Sequence, residues 1–218
     1  MALREAGWKG NKEAFDGIND TEMMLYLQIE KLGAHLNVLS PLIDRYQRGD
    51  QTFADEALRW LDEAEKTMSN LRLPEGAEMS MLRGRILRST DEILSAQVNQ
   101  PKSVLRKARN VAASQALDRA EEIMRARILE AENRLKFFEE KFSEALTHYM
   151  LSCRLPAKDP QAYDQWLSQI WSHMRSYEKT RPLILYMSAS LSPSDRSIIM
   201  IRVLDRAVQK NINVQPRE

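Results

Sequence analysis

Between Pro101 and Pro156 lie 54 consecutive residues, 102–155, with neither a proline nor a glycine. Those two residue types interrupt helices most often, proline by removing an amide donor and glycine through its backbone entropy. The stretch is filled instead with Ala, Leu, Arg, Glu, Lys and Met, which lose least on entering a helix. Its apolar residues are evenly spaced. Leu117, Ala120, Met124, Ile128, Ala131, Leu135, Phe138, Phe142, Ala145, Tyr149 and Cys153 follow one another at steps of three or four, ten steps in 36 residues. That is the period of a straight α-helix, about 3.6, rather than the 3.5 of a long zipper seam. At about 1.5 Å per residue the helix reaches roughly 80 Å, whereas a compact chain of this length has a radius of gyration of about 17 Å. The expected fold is therefore all-α: an elongated bundle of six to seven helices built on one very long central helix at about 102–155.

Start and stop signals divide the remainder. Residues 1–19 hold Gly7, Gly10 and Gly17 with Trp8 and Phe15 as isolated anchors, and read as an irregular arm. Asn19 and Glu22 make a capping box for a helix that should stop or kink at Ser40-Pro41, with a short continuation ending at Gly49. Thr52 and Asp55 start a second amphipathic helix, closed by Pro74-Glu75-Gly76. Residues 78–98 return to helix, which a box at Ser89 and Glu92 would split in two.

Beyond the long helix, Asp159 and Pro160 open a helix carrying Tyr163, Trp166, Ile170, Trp171 and Met174. So brief a connection predicts an antiparallel neighbour, with Phe138, Phe142, Leu146 and Tyr149 facing those aromatics. Arg181-Pro182 ends it, 183–191 is a short apolar run of unassigned type, and Ser192-Pro193-Ser194-Asp195 opens a last helix. One helical domain over 20–211, flanked by the arm and a polar tail at 212–218, is the organisation these signals describe.

Little in the chain points to catalysis. No glycine pattern cradles a phosphate or a dinucleotide, and no GxSxG elbow is present. His35, His148 and His173 lack the Glu-x-x-His pairs of helical di-iron sites; Glu140, Glu144 and His148 share one helix face but read as solvated. We expect no catalytic residue, cofactor, metal or small-molecule substrate. The single cysteine, Cys153, excludes an internal disulfide, and no apolar run is long enough for a leader or a membrane span, which predicts a cytoplasmic protein. Cys153 lies on the apolar stripe, and the eleven methionines read as core filler.

Charge is unevenly spread. Residues 1–78 carry nine Lys/Arg against fifteen Asp/Glu, and 79–218 carry 23 against 16. Within 83–109 there are seven basic residues and only two acids, Asp91 and Glu92. Arg83, Arg88, Lys102, Arg106 and Arg109 are the candidates for contact with an anion or a partner; Lys102, Arg106 and Arg109 share one face. No aromatic residue is interleaved to stack bases. The alternative pairs this patch with the acidic helix at 50–65. Ala108, Val111, Ala112 and Ala116 form a small-residue face that lets another helix approach closely. These features predict a non-catalytic adaptor or structural subunit that binds protein or self-associates within a larger assembly. The alternative function is binding of nucleic acid or an anionic surface through 83–109.

Overall fold

A computed structural model describes residues 24–96, 101–156 and 163–212. The expected arm, the Asn19 box, Asp159, Pro160 and all of the tail but position 212 lie outside the described residues. Seven helices and no strand are found among those described: α1 Leu25–Gln47, α2 Phe53–Asn70, α3 Gly76–Ala96, α4 Lys102–Ser152, α5 Tyr163–Ser176, α6 Arg181–Ser190 and α7 Pro193–Ile212. At 51 residues α4 is about 76 Å long. Of its eleven-residue apolar stripe, Leu117, Ala120, Met124, Ala131, Leu135, Phe138, Phe142, Ala145 and Tyr149 are buried, and Ile128 and Cys153 are partly so. The chain forms two compact units, one spanning Met24–Glu140 and one that includes 141–212, with α4 supplying residues to each.

In the first unit α1, α2 and α3 reverse direction in turn. The ion pairs and hydrogen bonds show the register: Arg45 meets Glu56, His35 Nε2 lies 2.8 Å from Thr67 Oγ1, and Arg83 meets Asp62. All four helices share one core, with Leu32, Leu39 and Leu42 from α1, Phe53, Leu61 and Met68 from α2, and Met79, Leu82 and Ile86 from α3. The α4 contribution is Ala113, Ala116, Leu117, Ala120, Ile123 and Met124. Fully burying each large member removes about 1.5–3 kcal/mol worth of apolar surface from water, so α4 is held by tertiary packing and not by propensity alone.

Two local expectations are corrected, and the segment left unassigned proves helical. The first helix does not stop at Pro41 but runs through it to Gln47. Asn37, Ser40 and Pro41 are exposed while Leu39 and Leu42 are buried, so proline and the Asn37 carbonyl it leaves unbonded belong to the water-facing side of α1. Ser89 does not split α3, because its hydroxyl donates to the Ile86 carbonyl at 2.7 Å, within the helix. The run at 183–191 is helical up to Ser190, with Pro182 in the first turn of α6 where its missing amide costs nothing.

The α1–α2 and α2–α3 turns close by the same device. Gly49 (φ 71°) donates to Tyr46 O at 3.0 Å and Asp50 to Arg45 O at 3.0 Å, ending α1. At the end of α2 the left-handed residue is Arg72 (φ 55°), which donates to Ser69 O while Leu73 donates to Met68 O at 2.8 Å. Leu73 and Met68 are both buried, and that apolar contact holds a side-chain-bearing residue where glycine is usual.

In the second unit the end of α4 meets α5 through rings. Phe142 stacks on Trp171 with centroids 6.0 Å apart, and Tyr149 meets Tyr177 edge-on at 5.7 Å. Of the expected aromatic contacts Phe142–Trp171 is present, while Tyr177, the partner of Tyr149, lies one residue past the end of α5. Trp166 Nε1 donates to Pro156 O at 2.8 Å and anchors the start of α5. Ser192 accepts the Asp195 amide at 3.1 Å, capping α7 as its sequence signal predicts.

Candidate interaction surfaces on the long helix

The acidic residues of α2 decide what the basic segment does. The polar side of α2 carries Asp55, which is exposed, and Glu56, Asp62 and Glu65, which are partly buried, and two expected anion contacts turn toward them. Arg83 of α3 pairs with Asp62 and lies 3.3 Å from Glu65; Arg109 of α4 lies 2.8 Å from Asp55. A hydrogen bond from Lys66, with Arg83 beside it, holds the Asp62 carboxyl below its ordinary range. Arg83 and Arg109 are thus engaged within the chain.

Arg88, Lys102 and Arg106 are exposed, and no ion pair among the described residues includes them. The same holds for Arg85 and Lys107. Successive turns of α4 place Lys102 and Arg106 on the side of Arg109, beyond the last acid that α2 offers. The structure sorts the basic segment into an inner, paired part and an outer part of exposed cations.

The second surface is the side of α4 turned away from the core. Its core-facing residues between Ala113 and Met124 fix the helix rotation, so residues on the opposite side must face outward. Ala108 and Ala112 are partly exposed, Val111 is 38% exposed, and Val104, one turn before Ala108, is 43% exposed. Among the described residues Val104, Lys107, Ala108, Val111, Ala112 and Gln115 line a shallow groove of about 400 Å³. Ala116 is not part of it; it lies in the core beside Leu117. The sequence reading missed Val104, Lys107 and Gln115, although Val104 stands seven residues before Val111, a spacing that marks one helix face.

Two further features lie outside these surfaces. On α6, Ile184 and Met187 are buried while Pro182, Leu185 and Tyr186 are exposed, so that helix is apolar on both sides. Glu144 pairs with Lys141 at 2.9 Å, and Glu140 and His148 are exposed. Among the described residues no group of three His, Cys, Asp or Glu is gathered as a metal would require, and no helix is long and apolar enough to cross a membrane.

No protein-family model matches the chain, and comparison with curated proteins and with solved structures found no significant similarity.

Proposed function

We propose that the chain is a non-catalytic helical adaptor or structural subunit that binds protein within a larger assembly, using the outer face of α4. One observation carries this reading: Val104 and Val111 stay substantially exposed beside Ala108 and Ala112, along a helix whose other side is fixed in a core. A rigid, exposed apolar stripe with small residues is what helix-in-groove recognition uses. The single cysteine and the absence of any disulfide suit a reducing compartment, and we place the protein in the cytoplasm.

Val111→Glu tests the reading. Glutamate is a good helix former at an exposed site, so the fold should keep its circular dichroism spectrum and melting temperature. In an interface the same carboxylate would be buried unpaired. Proteins that co-purify with the wild type from its native source should be lost with the variant. Identical partners on both would overturn the reading.

A second reading rests on the outer cations. Arg85, Arg88, Lys102, Arg106 and Lys107 could bind nucleic acid or an anionic lipid surface with strong salt dependence. Lys102→Glu with Arg106→Glu should abolish salt-sensitive binding to duplex DNA, RNA or phosphatidylserine vesicles; a wild type that binds none of the three removes this alternative.

A further inference from the structure

We propose that the occupant of the outer face of α4 is the same face of a second copy, docked antiparallel. This rests on the reading that the face is an interaction surface, and adds the partner and the geometry.

The argument is one of charge left over. Arg109 pairs with Asp55 of α2, Lys102 and Arg106 continue that side of α4, and beyond the groove Arg119 lies 2.9 Å from Glu122 and Arg125 lies 2.6 Å from Glu121. Lys107 and Asp118 are different. Both are exposed, and no ion pair among the described residues includes either. They stand eleven residues apart, three turns or about 16 Å, which puts them nearly on one line along the helix. Ala108, Val111, Ala112 and Gln115 lie between them. The outer face therefore carries a cation within the groove, at Lys107, and an anion one turn past Gln115, at Asp118.

A second helix laid parallel in register would set Lys107 against Lys107 and Asp118 against Asp118. Turned about the midpoint between Ala112 and Ala113, it sets Lys107 of each copy beside Asp118 of the other, twice. This is the self-complementary pattern of a two-fold interface. The alanines at 108 and 112 allow the axes to approach to about 8 Å, the short end of helix-packing distances, and Val104 and Val111 supply the apolar contact. A stripe of this size is at the small end of specific interfaces, so association in the micromolar range is expected.

Sedimentation equilibrium on the full chain, at concentrations raised to the high micromolar range, tests this with Lys107→Glu and Asp118→Lys. Both sites are exposed, so each variant should melt as the wild type does. The wild type should dimerise reversibly. Each single variant converts two attractions into two repulsions and should weaken the dimer by roughly tenfold or more. An equimolar mixture of the two variants restores both pairs and should recover the wild-type constant, as should the doubly substituted chain. A wild type that stays monomeric, a dimer that neither variant weakens, or a mixture that fails to recover each overturns the proposal. The adaptor reading is judged separately: a monomer that loses a different partner on Val111→Glu retains that reading and refutes this one.

Discussion

Replacing Pro41 with alanine should make the protein more stable, against the usual direction of a substitution inside an element. The helix α1 continues through Pro41 for six further residues, to Gln47. Proline within a helix costs about 3 kcal/mol relative to alanine, through the lost amide bond and the clash with the preceding turn. Alanine restores a donor at 41 to the carbonyl of Asn37 and removes the ring. It also loosens the unfolded chain, which returns about 0.4–1 kcal/mol. The difference is a net gain of about 2 kcal/mol, or roughly 4–8 °C in Tm for a chain of this size. Equilibrium urea unfolding followed by far-ultraviolet circular dichroism measures it, with Ser40→Ala as a control at an exposed neighbour. An unchanged or lowered midpoint for Pro41→Ala would refute the reasoning. It would mean that the proline's fixed φ is required there, and that α1 is two helices meeting at a bend.

Leu117 is fully buried where α4 enters the shared core, and Leu117→Ala should cost about 2.7–5 kcal/mol in urea denaturation; a loss under about 1 kcal/mol would show that α4 does not share that core. His35 is half-buried against Thr67, and burial lowers its pKa below 6.5 against the opposing influence of Glu63. The unfolded chain then takes up the proton first, so the stability that neutral His35 contributes is present above pH 6.5 and lost as pH falls through it. His35→Gln should flatten the decline in Tm between about pH 7 and 5 relative to wild type, and equal slopes would remove His35 as its source.

The long helix was legible because its signal is redundant: propensity, missing breakers and a constant period agree over 51 residues. Gly49 and the Ser192 cap were legible for a similar reason, since each is a local rule that the tertiary structure has no cause to override. Pro41 was not. Its cost depends on whether water reaches the carbonyl behind it, and that is a fact about which side of α1 is buried. Ser89 misled because a hydroxyl can cap a new helix or bond back within an old one, and the spacing of acids does not separate the two.

Of the candidate contacts, the division between engaged and exposed cations required knowing which carboxylates α2 presents to α3 and α4. The run of charge in the sequence is the same whether Arg83 faces Asp62 or solvent. Ala116 and Ala112, four residues apart, looked equivalent on a helical wheel. Only the rotation of α4 in its core separates one as filler from the other as surface.

Because α4 meets its core over three unbroken turns, the number of residues between Ala113 and Met124 acts as a phase setting. Adding one residue between Ala113 and Leu117 would swing Leu117, Ala120 and Met124 by about 100° away from the side that Ala113 holds in the core. Five full turns, about 18 residues, would bring the faces back into step, whereas small insertions in the 71–75 turn rotate nothing. Length changes in descendants of this chain should therefore collect in its turns, and in α4 should come only in whole-turn increments.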